Sequence, residues 1–158
     1  MAVIAQASRA IPGSENDAVQ ILRNLAEARG LIAPGGLRAR DTAKDLEITP
    51  SCCCGLETWR EWREVIDGGA VWLGHDPTPW IEHLGPTIRI WPDDGTSLRP
   101  AGESAIEIAL TDLAELINAA DVQMKGFLEQ VRSWAASLHH PEVEHLVAAL
   151  DRSFRITG

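Results

Sequence analysis

The sequence predicts one α+β domain, in which an antiparallel meander of three to four strands packs against a long C-terminal helix with additional helices around it. Apolar segments of strand length lie between about residues 46 and 110, and segments with helical periodicity lie before and after them. The 158 residues, 45% of them apolar, can also bury one core without disulfides or metal. We therefore expect residues 1–158 to form a single domain, with residues 1–13 flexible.

The first helix is predicted from its start signal. Ser14 can cap exposed N–H groups, and Glu15 and Asp17 place negative charge at the positive end of the helix dipole. Gly30 is a typical C-terminal stop. Between these signals the apolar residues recur at helical spacing: Val19, Ile21, Leu22, Leu25 and Ala26. The pattern indicates a helix of about four turns.

Residues 33–50 are rich in Gly, Pro and charge and have no sustained periodicity, which predicts a loop or linker with a short strand at Leu46–Ile48. A short amphipathic helix then runs from about Leu56 to Ile66 and ends at the Gly68-Gly69 pair. We expect the two indoles of this helix, Trp59 and Trp62, to pack against the sheet.

Four segments are candidate strands. The first is "AVWLGH" at residues 70–75, two more lie within "WIEHLGPTIRIW", and the last is "SAIEIAL". Turn-forming residues separate them, and in the last segment Glu107 faces away from Ile106 and Ile108. Together they predict the antiparallel meander.

The clearest element begins at Thr111, where an apolar stripe at helical spacing continues for about seven turns, or roughly 40 Å. This length exceeds what a domain of this size normally needs. We favour the explanation that a last helix, from Pro141 to about Phe154, covers its far end, since Pro141 suits a first helical position. The alternative is a homodimer formed through the helix at residues 111–138.

The segment from Trp80 to Trp91 is nearly symmetrical about its Gly-Pro centre. Folded as a hairpin, it pairs Trp80 with Trp91, and Glu82 with Arg89 as an ion pair. Such pairs stabilise a hairpin by up to about 1 kcal/mol, so a structural role is sufficient to explain them. Trp and Arg are also enriched among interface hot spots, which suggests a binding surface. Its residues are Trp80, Glu82, Arg89 and Trp91.

Three consecutive cysteines are the most unusual chemistry in the chain, because they precede a predicted helix whose dipole lowers thiol pKa values. The nearest imidazole in sequence, that of His75, is at the end of a predicted strand that can return beside the cysteines. Adjacent cysteines diverge, whereas structural zinc sites favour Cys-x-x-Cys spacing, so we expect buried or incidental thiols. The alternative is a zinc site or a catalytic thiol. Its residues are Cys52, Cys53, Cys54 and His75.

The formal charge is −9, so the surface would repel nucleic-acid phosphates and attract a basic partner. No apolar run approaches the roughly 20 residues that span a bilayer, and the N-terminus does not resemble a secretory signal. We therefore expect a cytoplasmic protein that binds neither nucleic acid nor membrane.

Catalytic signatures are missing from the sequence: it has no Gly-rich phosphate loop, no Gly-x-Ser-x-Gly and no His-Glu-x-x-His. Glu82 and Glu107 are candidates for an acid–base pair, although strand alternation alone places them on a solvated face. We expect His83 to be a hydrogen-bonded, partly buried residue and not a base.

The leading hypothesis is a protein-binding module without enzymatic activity or cofactor, such as an inhibitor or immunity-type protein for a basic partner. The first alternative is a zinc-dependent or thiol-dependent sensor or enzyme at the cysteine cluster. A small-ligand pocket roofed by Trp59, Trp62 and Trp72 is a further alternative.

Overall fold

The computed structural model describes residues 15–28, 30–51, 53–93, 105–139 and 141–158, with the side chains of the first helix described from Ala18 onward. It contains two small antiparallel sheets and a long C-terminal helix, and the predicted α+β class is confirmed. The helices are α1 (Glu15–Glu27), α2 (Trp62–Ile66), α3 (Leu110–Ser137) and α4 (Val143–Phe154). The strands are β1 (Ala39–Asp41), β2 (Leu46–Ile48), β3 (Trp80–Leu84), β4 (Thr87–Trp91) and β5 (Ile106–Ala109).

The chain forms two compact units. One consists of Met1–Ala33 with Ala119–Gly158, and the other of Pro34–Asn118. Helix α3 begins in the second of these and ends in the first. That the whole chain is a single domain stays a prediction, and the predicted flexibility of residues 1–13 and the cap at Ser14 lie outside the described residues.

The unit Pro34–Asn118 contains the predicted meander as a three-stranded sheet in the order β3-β4-β5. The apolar face of this sheet is buried, with Ile88 and Ile90 on the central strand and Ile106 on β5 each no more than 2% exposed. Gly85 turns the β3–β4 hairpin with a φ of +65°, a conformation that glycine adopts without steric cost.

The predicted loop at residues 33–50 contains a small hairpin. The strand at Leu46–Ile48 is confirmed, and it pairs with β1, which we did not predict. The carboxylate of Asp41 accepts hydrogen bonds from the backbone N–H groups of Ala43 and Lys44, which closes the turn and lowers the pKa of Asp41. β1 has only three residues, which is too short to show the alternation of apolar and polar side chains that predicts a strand.

The first candidate strand, at residues 70–75, is wrong. The segment is not in either sheet, although Val71 and Leu73 are buried and Trp72 between them is exposed. This alternation is the pattern that predicted a strand. The segment instead lies beside residue 51, where Ser51 N–H donates to Leu73 C=O over 2.8 Å. Gly74, with a φ of +93°, turns the chain away.

The second predicted helix has a 3-10 turn as its first half, Leu56–Glu61, and α2 as its second half. Both indoles are buried, with Trp59 0% and Trp62 6% exposed, and their packing against the sheet stays a prediction. Gly55 precedes the 3-10 turn in an extended conformation, so Cys53 and Cys54 are not part of a regular helix start.

In the unit of Met1–Ala33 with Ala119–Gly158, helix α1 packs against α4. The contact is apolar, because Leu22 on α1 and Leu146 and Phe154 on α4 are buried. The last helix begins at Val143, two residues after Pro141, so Pro141 is not at the first helical position as predicted. Within the described residues, no helix combines the length and the apolar character needed to cross a membrane.

Candidate functional site

The outward side of the three-stranded sheet carries the predicted binding residues. The register pairs Trp80 with Trp91 and Glu82 with Arg89 across β3 and β4, which confirms the predicted hairpin. It also pairs Arg89 with Glu107 across β4 and β5. Because alternate strand residues point to the same side, these five residues share one surface, which we call the tryptophan face. Its members are Trp80, Glu82, Arg89, Trp91 and Glu107.

The two indoles of the tryptophan face are stacked. The ring centroids of Trp80 and Trp91 lie 6.1 Å apart with an angle of 13° between the ring planes, which is an offset parallel arrangement. Both side chains are half-buried, so part of each ring contacts solvent. The stack therefore offers an apolar surface at one end of the sheet.

Hydrogen bonds hold both indoles in place. The Trp91 N–H donates to Glu82 Oε2 over 3.0 Å, and the Trp80 N–H donates to the backbone carbonyl of Asp93 over 2.9 Å. The Asp93 carboxylate also accepts a hydrogen bond of 3.4 Å from the Thr78 N–H, which ties the chain after β4 to the chain before β3. These hydrogen bonds thus fix the orientation of both rings.

The ion pair of the tryptophan face differs from the predicted one. Arg89 donates from Nε to Glu107 Oε2 over 3.0 Å, and the carboxylate of Glu82 accepts the Trp91 indole instead. The side chains of Arg89 and Glu107 are 42% and 52% exposed, so the pair is open to solvent. Arg89 on the central strand also separates Glu82 from Glu107, which removes the geometric basis for an acid–base pair.

His83, on the opposite side of β3, is hydrogen-bonded as predicted. Its Nε2 lies 2.8 Å from the backbone carbonyl of Gly69. It is exposed, however, and not partly buried, because β3 is an edge strand of the sheet and His83 lies next to its end at Leu84.

The cysteine cluster forms a second candidate site, in the same unit. Cys53 is exposed and its Sγ lies 3.8 Å from Nε2 of His75, so these two predicted residues are brought together. Cys54 is buried and its thiol lies 3.5 Å from the backbone carbonyl of Trp72. Cys52 lies outside the described residues. Among those described, no group of three or more His, Cys, Asp or Glu side chains has the arrangement of a metal site.

Ser51 fixes the approach of His75 to Cys53. Its hydroxyl donates to the backbone carbonyl of His75 over 2.7 Å. The His75 ring also stacks on Trp72, with centroids 6.2 Å apart and an angle of 16°. We did not predict this stack, because residues three apart in an extended segment point to opposite sides. The turn at Gly74 lies between Trp72 and His75.

The three indoles of the suggested ligand pocket have different environments. Trp59 and Trp62 are core residues, whereas Trp72 is 56% exposed. The guanidinium of Arg60 lies 4.7 Å from the centroid of the Trp59 ring. The burial of Trp59 and Trp62 favours a structural role for both.

No protein-family model matches this chain, and comparison with curated proteins and with solved structures gives no significant match.

Proposed function

We propose that this chain is a non-enzymatic, cytoplasmic protein-binding module that engages a basic partner, as an inhibitor or immunity-type protein does. The observation that carries the proposal is the stack of Trp80 on Trp91, half-exposed and fixed by hydrogen bonds on the outer side of a sheet. Aromatic anchors held rigid in the unbound state lose little conformational entropy on binding, which is typical of interface hot spots.

The chemistry around the stack suits a cationic partner. A Lys or Arg side chain that reached the indole faces would gain a cation–π contact of about 0.5–2 kcal/mol. Glu107, half-exposed on the same face and paired with Arg89 through Oε2, offers its carboxylate to the same cation. The formal charge of −9 would raise the association rate with such a partner and make it depend on salt.

Photo-cross-linking tests this proposal. A photoreactive residue replaces Leu84, which lies at the end of the tryptophan face on β3 and is 39% exposed. A matched control places it at Gln20, an exposed position on α1. In cells of the source organism we expect a basic protein to be cross-linked from position 84 and not from position 20. Identical adducts at both positions, or an acidic protein at position 84, would contradict the proposal.

A second candidate function is favoured by the Cys53–His75 contact of 3.8 Å, which suits a zinc-dependent or thiol-dependent sensor or enzyme. Replacing Cys52, Cys53 and Cys54 by serine separates the two functions. If the variant folds and retains the cross-linked partner, the binding module is supported. If it loses bound zinc in native mass spectrometry, or loses the fold, the cysteine cluster is the functional centre.

A further inference from the structure

Helix α3 carries two stripes of uncharged side chains. One is buried and contains Leu113, Ile117, Leu128 and Ala135. The other is spaced alternately by four and three residues, as in a coiled-coil seam, and its ends are 56% and 52% exposed. We call this second set the neutral stripe, because it contains no ionisable side chain. Its members are Leu116, Ala120, Gln123, Phe127, Gln130 and Trp134.

The charges of this helix lie on the side away from the neutral stripe. At 100° per residue, the ionisable residues between Leu116 and Trp134 fall on the opposite half of the helix. They are Asp121, Lys125, Glu129 and Arg132. Two copies of a chain with a formal charge of −9 repel one another, and this repulsion is smallest where neither copy presents a charge. The neutral stripe is therefore electrostatically suited to a second copy.

Gly126 borders the neutral stripe in the middle of the helix. Glycine there costs about 1 kcal/mol of helix stability relative to alanine. Among the described residues, a Cβ added to Gly126 would meet no atom within 4 Å, so packing within one chain does not require glycine at this position. Gly126 instead leaves a depression lined by Gln123, Phe127 and Gln130. Such a notch allows a second helix to approach closely.

We infer that the neutral stripe is the contact with a second copy of this chain, packed antiparallel. The six positions are symmetrical about residue 125, so an antiparallel copy places each one opposite another member of the stripe, as a two-fold interface requires. Every large side chain then faces a residue of different size or polarity, and no two aromatic rings collide. The facing pairs are Leu116 with Trp134, Ala120 with Gln130, and Gln123 with Phe127.

The stripe is about 28 Å long, and a single pair of helices of this length falls at the low end of interface sizes. We therefore expect a weak dimer. Sedimentation velocity tests it between about 5 and about 500 µM, the range in which small interfaces of this kind associate. The expected result is an average mass that rises with concentration from that of one chain toward that of two.

Gly126→Glu places a charge in the notch and should raise the dissociation constant of the dimer at least about tenfold. The matched control is Ala136→Glu, which adds the same charge at an exposed position on the opposite side of the same helix and should leave the dimer unchanged. Circular dichroism reports whether each variant keeps its helix content. If Gly126→Glu does not fold, the nearly isosteric Gln123→Glu replaces it.

A monomeric mass for the wild type over the whole concentration range would overturn the inference. Equal weakening by Ala136→Glu and Gly126→Glu would do so as well, because the charge and not its location would then control association.

Discussion

Trp91 donates its indole N–H to the carboxylate of Glu82 on the adjacent strand, and this bond of 3.0 Å takes the place of the expected Glu82–Arg89 ion pair. Trp91 is two residues beyond the register partner of Glu82, so the contact is a diagonal one. Arg89 binds Glu107 instead. The polar groups of the tryptophan face thus hold the sheet together while the rings stay partly exposed.

Trp91→Phe removes the indole N–H, so the carboxylate of Glu82, a half-buried residue, loses this hydrogen bond. We expect a loss of about 1 kcal/mol in the free energy of unfolding, measured by urea denaturation. Trp134→Phe is the control, because the Trp134 side chain is 52% exposed and its change should be small. An equal loss in both variants would mean that the Trp91–Glu82 bond does not contribute specifically.

Gly74→Ala should be more destabilising than Gly68→Ala. Both glycines have a left-handed φ, +93° and +85°, so both variants are strained by about 1 kcal/mol. Only at Gly74 would the new Cβ collide with the side chain of Ser51, which fixes His75 beside Cys53. We expect thermal unfolding to show the larger loss for Gly74→Ala, and equal losses would show that Ser51 moves aside without cost.

Cys53 should react with a small alkylating reagent at least about tenfold faster than Cys54 in the native protein. Cys53 is exposed beside His75, whereas Cys54 is 4% exposed. Peptide mass spectrometry after brief alkylation measures the two rates separately. The difference should vanish in denaturant, and comparable rates in the native protein would contradict the placement of Cys54.

The pair between Arg132 on α3 and Glu144 on α4 should make stability depend on pH. Hydrogen bonds from Arg132 lower the pKa of Glu144 in the folded protein below its ordinary value of 4.5. The hydrogen bonds that Arg132 donates to Glu144 and to Glu129 raise the pKa of Arg132. Because the pKa of Glu144 is lower in the folded protein, the pair stabilises the fold at pH values above the unfolded-state pKa of Glu144. This contribution is lost as the pH falls through the folded-state pKa.

Glu144→Gln should therefore lower the urea midpoint slightly near neutral pH, because both side chains are solvent-exposed, and the difference from wild type should shrink by about pH 3. Glu115→Gln, at an exposed position near the start of α3, serves as the reference. A difference that grew on acidification would contradict this account of the pair.

The sequence predicts the local elements well where a pattern is long or symmetrical. The β3–β4 register follows from the symmetry between Trp80 and Trp91, and the long helix follows from an apolar stripe at helical spacing. The partner of Arg89 could not be predicted, because it depends on the register of β5, which is separated from β4 by a long connection. The failed strand at residues 70–75 shows the same limit, since alternating burial does not require a neighbouring strand.

The candidate sites depend even more on contacts between distant segments. The sequence suggests that Cys53 and His75 can meet, but the contact is built by hydrogen bonds from Ser51 to Leu73 and His75. Neither the stack of His75 on Trp72 nor the indole hydrogen bond to Glu82 has a signature in the spacing of residues.

The most direct test of the tryptophan face as a binding surface is quantitative capture from an extract of the source organism with three immobilised proteins. They are the wild type, Glu107→Lys, which changes a charge on the tryptophan face, and Glu115→Lys, which makes the same change at an exposed position on α3. Our account predicts that the wild type and Glu115→Lys retain the same basic protein. Glu107→Lys should retain at least about tenfold less of it. Equal retention by all three, or retention of no basic protein by the wild type, would contradict it.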